Sequence, residues 1–181
     1  MTRTLKQNRE ENELREWLSE GLSQFSKDLS GENDLQKLTE KAVSFIGHYV
    51  NAGHGVIYLY DDENEAHLLN LMGSYMFTER ANLSAHYKLG EGAIGQVALE
   101  RKCILLTDIP KEKKITTGTT SATPLNTFTF PLIYEDVLCA VVEFSSYEPL
   151  RHLHNVSLTN QPTFLPLSST PLYKVIKSPD S

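Results

Sequence analysis

Tyr87-Lys-Leu-Gly-Glu-Gly-Ala-Ile-Gly-Gln-Val-Ala-Leu-Glu-Arg-Lys-Cys-Ile-Leu-Leu-Thr-Asp-Ile-Pro110 is the stretch on which the fold turns. An extended segment ending at Leu89 runs into Gly90-Glu91-Gly92, a tight turn. Ala93–Glu100 reads as a short helix with Ile94, Val97 and Ala98 facing inward. Gly95 on that helix lets another backbone approach closely. Cys103–Thr107 reads as a strand, and Asp108-Ile109-Pro110 stops it. The glycine spacing superficially matches a phosphate-cradling loop. No lysine with a following Ser or Thr stands at the P-loop spacing, however, and no βαβ unit surrounds it. A strand-to-helix turn with close packing is the expected role.

Upstream, residues 5–30 carry Leu14, Trp17, Leu18, Leu22, Phe25 and Leu29 at three- and four-residue steps, one apolar stripe on a helix. Ser30-Gly31 ends it, with glycine as the cap. Such a stripe can cover a sheet or pair with a second copy as a parallel dimer, and periodicity does not separate the two. Residues 33–51 form a second helix, capped by Asn33 or Asp34, with the broad apolar face of a core helix. After the turn Gly53-His54-Gly55, Val56–Tyr60 is a strand of strong β formers. Asp61–Glu65 is a hairpin connection, and His67–Phe77 returns, with Gly73 as a candidate bulge. Arg80–Ala85 is polar and turn-like. Helices followed by a local meander argue for an α+β domain with an antiparallel sheet.

Downstream, Lys111–Thr127 is a polar connection long enough for a lid or binding loop. Phe128–Tyr134 and Val137–Ser145 are two strands joined at Glu135-Asp136 into a hairpin. From Pro149 to Ser181 the character changes. Five prolines and little helical period predict an irregular tail.

The 181 residues set one domain with appendages as the starting expectation, and 40% hydrophobic with 22% charged content is ordinary for a soluble chain. A net charge of −6 disfavours nucleic acid and anionic membrane as partners. No window approaches the roughly 20 apolar residues of a membrane span, and the first residues lack a signal-peptide core. Cys103 and Cys139 both fall in apolar runs. They read as buried hydrophobes in a reducing cytosol and do not suggest a disulfide framework. A cytoplasmic location is the corresponding expectation.

Leu89–Ala98, Ile104–Pro110, and Phe130-Pro131-Leu132 followed by Val137–Ser145 together resemble a GAF domain, over roughly residues 13–149. More narrowly, the chain looks like the GAF domain found between HAMP and histidine-kinase modules in hybrid sensor kinases. That family has a Ser-Gly-Leu-Gly-Glu-Ala-x-Pro loop before its last hairpin. Here Thr117-Gly118-Thr119-Thr120-Ser121-Ala122-Thr123-Pro124 keeps the first glycine, the alanine and the proline, and loses the second glycine and the acid. The resemblance implies a central antiparallel sheet with N-terminal helices on one face and a short helix and loops on the other. The division it suggests is a signalling or dimer helix at 1–31, the GAF domain at 32–149, and a tail at 150–181. A GAF domain normally closes with a long amphipathic helix, and the proline-containing tail predicts that this helix is missing. Suitable synonymous codons for Val156–Lys177, read one frame away, spell FLDQPADISAIVINTALQSHQ, which has that helix's apolar spacing. The corresponding hypothesis is a frameshift near residues 150–156. Resequencing that finds an intact frame ending at Ser181 would refute it.

In this fold a ligand pocket lies between the sheet and the helices and loops on one face. The candidate lining is Tyr58, Ser74, Leu89, Ile94, Val97, Phe128, Phe130 and Val142; the bland alternative is that these eight are simply core. No ligand or cofactor is named by the residues. The cyclic-nucleotide signature Asn-Lys-x-x-x-Phe-x-x-x-Asp-Glu is absent, as is the pattern of a bilin site around Cys103. No histidine, cysteine or acid grouping has metal-ligand spacing, so no metal is expected. No nucleophile elbow, phosphoacceptor motif or ATP-binding glycine box is present. The expected function is therefore a non-catalytic sensory or regulatory domain of two-component signalling. It would bind a small molecule or partner, relay to flanking helices, and form a homodimer through the first helix. A free-methionine sulfoxide reductase is the enzymatic alternative, disfavoured because that family needs a cluster of loop cysteines. A degenerate remnant without function is the third reading.

Overall fold

The computed structural model describes residues 2–63, 65–76, 83–107, 115–116, 121–122 and 126–148, with backbone alone described at 2–4, 11, 14, 18, 22, 115–116 and 121–122. The tail expected to be irregular, the expectation that the closing helix is missing, and most of the Lys111–Thr127 connection all fall outside these residues.

Eleven elements follow in order: α1 (Thr2–Asp28), α2 (Leu35–Tyr49), β1 (His54–Tyr60), β2 (Leu68–Tyr75), β3 (His86–Lys88), α3 (Gly92–Glu100), β4 (Ile104–Thr107), β5 (Ile115–Thr116), β6 (Ser121–Ala122), β7 (Asn126–Tyr134) and β8 (Val137–Ser146). β5 and β6 pair as a separate two-stranded ribbon within the connection that the sequence presented as polar loop. The other six strands form one sheet in the order β3-β2-β1-β8-β7-β4, antiparallel throughout. This is the α+β class expected from helices followed by a meander.

Each face of the sheet has its own core. On one, Ile57, Phe128, Phe130, Leu132, Ala140, Val142 and Phe144 pack against Leu38, Ala42, Val43 and Ile46 of α2, against Phe25 of α1 and against Leu29 just beyond its end. Phe25 and Leu29 are wholly buried, so the C-terminal end of α1 and the residue after it cover the chain's own core. The docking is reinforced about two turns further back. Tyr49 stacks on Trp17 at 4.8 Å, and its hydroxyl donates to the Trp17 carbonyl at 2.5 Å. On the other face, Ile94, Val97 and Ala98 of α3 close against Val56, Tyr58, Leu69, Leu138 and Val141.

Local chemistry fixes the ends of these elements. Asp34 caps α2 by accepting from the Lys37 amide at 3.0 Å. The β7–β8 turn holds both Glu135 and Asp136 at positive φ, the geometry of a two-residue hairpin turn whose twist suits its strands. Two bulges adjust the register. Between Ile57 and Tyr58 of β1, the partner in β2 jumps from Gly73 to Leu71, which leaves Met72 as the extra residue beside the expected Gly73. On β8 the partner of Leu132 is Ala140 and that of Ile133 is Leu138, so Cys139 is the inserted residue.

Candidate functional site

The face under α3 is apolar at one end and polar at the other. Register fixes which side chains share it. Ser74, Val56, Glu143, Thr129 and Ile104 stand side by side across β2, β1, β8, β7 and β4. One row further on stand His54, Ser145, Thr127 and Leu106. Because strand side chains alternate between faces, Thr127 and Thr129 share a face with Glu143 and Ser145, while Phe128, Phe130, Val142 and Phe144 point the other way. Tyr75, Thr107 and Asn126, the strand ends from which the two longest connections leave or return, are all at this polar end.

The strip is hydrogen-bonded internally. The Thr129 hydroxyl, fully buried, donates to the half-buried Glu143 carboxylate at 2.7 Å. Thr127 and Ser145 hydroxyls are 3.1 Å apart. Toward α3, the Tyr58 and Tyr87 rings meet edge to face at 5.2 Å, and the Tyr58 hydroxyl donates to the Ser84 carbonyl at 2.9 Å. Burial pushes both phenols above the ordinary tyrosine range, and the charge of Glu143 raises both further. They therefore stay neutral at physiological pH. His54 is buried, its pKa held down by desolvation, with the Tyr147 hydroxyl 3.5 Å from Nδ1. Tyr147 is itself raised by burial. At the described sheet positions of this face, Glu143 is the only acidic or basic residue besides His54.

The glycine turn is structural, as its sequence suggested. The Gly90 amide donates to the Gly95 carbonyl at 2.8 Å, and the Gly95 amide to the Glu91 carbonyl at 2.9 Å. The Glu91 carboxylate accepts from the Lys88 amide at 2.8 Å. These bonds tie the turn to the strand before it and to the first turn of α3. A Cβ on Gly95 would lie 2.1 Å from the Lys88 carbonyl oxygen.

The eight lining residues read from the sequence do not line one surface. Tyr58, Ile94 and Val97 meet under α3. Ser74 is half-buried and stands opposite Val56, on the same face. Leu89 is 37% exposed in the turn before α3. Phe128, Phe130 and Val142 belong to the opposite core, against the helical layer, because the alternation of β7 and β8 turns them away. Glu143, Thr129, Thr127, Ser145, His54 and Tyr87 were missed. The signal for four of them was a period of two: Thr127-x-Thr129 and Glu143-x-Ser145, interleaved with large apolar residues.

Both cysteines are free thiols. Cys103 is half-buried, with its thiol pushed up by burial, and Cys139 is buried at the β8 bulge. No grouping of three or more His, Cys, Asp or Glu suited to a metal occurs among the described residues. No helix among them is long and apolar enough to cross a membrane.

A six-stranded antiparallel sheet with N-terminal helices on one face and a short helix behind a glycine turn on the other defines a GAF-like α+β fold. A family model described as GAF domain matches residues 32–155, and the chain belongs to that family. Solved structures agree on the fold. A GAF domain of the phosphoenolpyruvate-protein phosphotransferase from Coxiella burnetii superposes with a TM-score of 0.63 at 16% identity, covering 90% of this chain and 97% of that one. The nlh2 GAF domain of A. aeolicus in an inactive state gives 0.61 at 15%, covering 90% and 98%. The free methionine-R-sulfoxide reductase of Neisseria meningitidis, in complex with its substrate, gives 0.59 at 15%, covering 89% and 86%. At these identities the likeness concerns the fold alone. No curated protein matches the chain.

Proposed function

We propose that this chain is a non-catalytic GAF sensory domain that binds a small molecule on the α3 face and relays occupancy to its helices. The observation that supports the reading is the polar strip around Glu143. Hydroxyl, carboxylate and imidazole groups are gathered at one end of a sheet face whose other end is closed by an apolar helix. A few hydrogen-bonding groups converging beside an apolar wall is the composition of a small-molecule site.

The relay would run through β1 and β8, which carry the strip on one side and pack α1 and α2 on the other. The narrower resemblance to GAF domains that lie between HAMP and histidine-kinase modules supports a place in two-component signalling, in the cytoplasm, next to a kinase module. The N-terminal end of α1, where Leu5 is 70% exposed, would contribute to a homodimer. The cysteine environments speak against the reductase alternative, because a thiol raised by burial is a poor nucleophile.

The test is a thermal-shift screen of the whole chain against a panel of metabolites, repeated with Thr129→Val. A saturable rise in the unfolding midpoint with one chemical class, lost in the variant and accompanied by altered amide exchange in α1, is expected. Turnover of free methionine sulfoxide would overturn the non-catalytic reading, and a panel without any hit would overturn the sensory one.

A further inference from the structure

We infer that two tyrosine rings, each seated on a glycine, link the end of β2 to α1 through the last turn of α2, a reading that rests on the ligand-binding proposal above and names how that site would act on α1. The last two residues of β2 face opposite ways. Ser74 stands on the candidate-site face, opposite Val56, while Tyr75 packs against the helical core. Beyond them the chain leaves the sheet at Met76, which is 65% exposed and at positive φ. A displacement of this strand end on the site face therefore reaches the helical face across one peptide unit.

The Tyr75 ring lies on Gly47 of α2, where a Cβ would be 2.5 Å from a ring carbon. Two residues on, Tyr49 leaves α2 about 200° further around the helix, on the side of α1. Its ring lies on Gly21, where a Cβ would be 2.6 Å away, and it is the same ring that stacks on Trp17 and donates to the Trp17 carbonyl. Glycine weakens a helix interior, and at both positions a ring fills the space that it leaves. Ring thus bears on backbone twice in series, with no rotatable side chain between to absorb a shift. The other end of α2 is held in place. The Thr39 hydroxyl is 3.3 Å from the Met72 carbonyl at the β2 bulge, and a Cβ on Gly73 would be 3.1 Å from the Thr39 backbone. Pressure from Tyr75 then tilts the last turn of α2 toward or away from α1. The side chains described in α1 before Trp17 are all exposed, so a change of angle at Gly21 displaces these N-terminal turns most.

Trp17 is the chain's single tryptophan, so its emission reads the far end of the link. In the whole chain, Tyr75→Leu should red-shift Trp17 emission and increase its quenching by acrylamide, although Tyr75 packs on the opposite side of α2. The Gly21 amide should exchange at least about fivefold faster, with a smaller change at Val141 and Val142, which report overall stability. Tyr75→Phe keeps the ring and should match the unmodified chain. Tyr60→Leu, at the other end of β1, should leave Trp17 as it is. Should Tyr75→Leu fail to fold, Tyr75→Met, which keeps bulk without a flat ring, takes its place. Trp17 emission or Gly21 exchange unchanged in Tyr75→Leu overturns the link. So does an equal acceleration at Val141 and Val142, or an equal effect of Tyr75→Phe or Tyr60→Leu. All of these readouts are taken without a ligand, so their failure leaves the ligand-binding reading to the metabolite screen.

Discussion

The Gly95 Cα sits so close to Lys88 that a side-chain carbon there would lie 2.1 Å from the Lys88 carbonyl oxygen. That contact seats α3 on the strand before it, and the obstacle is backbone, which cannot rotate away. Gly95→Ala should therefore destabilise the domain by about 1–3 kcal/mol, through forced backbone displacement. Urea unfolding reads the effect. A midpoint equal to that of the unmodified chain would show that α3 can shift freely.

Phe25 joins α1 to the sheet core and is wholly buried. Phe25→Ala should cost about 3–5 kcal/mol. Tyr49→Phe removes only the hydrogen bond to the Trp17 carbonyl and should cost about 0.5–1.5 kcal/mol. If α1 packed mainly on a second copy, the loss in Phe25→Ala would depend on protein concentration. Denaturation at two concentrations distinguishes the cases.

His54 makes stability depend on pH. Unfolded, an imidazole takes up its proton near pH 6.5, by the usual reference value of about 6.5. Burial holds the folded value lower. Between the two values the unfolded chain binds more protons, so stability is complete above the unfolded value. It is lost as pH falls through the folded one. Urea midpoints taken on either side of about pH 6.5 should show a fall on acidification that is smaller in His54→Gln. An identical fall in the variant would remove His54 as its source.

Both thiols should react slowly with a thiol reagent in the native chain and quickly after unfolding, since Cys139 is buried and burial raises the Cys103 pKa. Rapid native labelling of Cys103 would reopen the reductase alternative.

Two strands show how far the sequence could be read for the site. The hairpin from Asn126 to Ser146 was legible as strands, from its β formers and the Glu135-Asp136 turn. Large apolar residues drew the reading to Phe128, Phe130 and Val142, and their register neighbours Thr129 and Glu143 were passed over. Aromatic size says that a residue is buried and says nothing of which of two buried faces it joins. With helices on both sides of a sheet, hydrophobicity marks both.

The sequence by itself determined the class of fold. Helical stripes, β-rich runs and the glycine turn are local signals, each set by backbone geometry and by spacing within a few residues of chain. Only the tertiary structure decided what faces what. It ordered the strands β3-β2-β1-β8-β7-β4, turned Phe25 of α1 and the following Leu29 onto the chain's own core, and set Glu143 beside Thr129 on the sheet face that α3 covers. The physical reason is that strand pairing joins residues far apart in the chain, and a bulge such as that at Cys139 reassigns faces by inserting one residue.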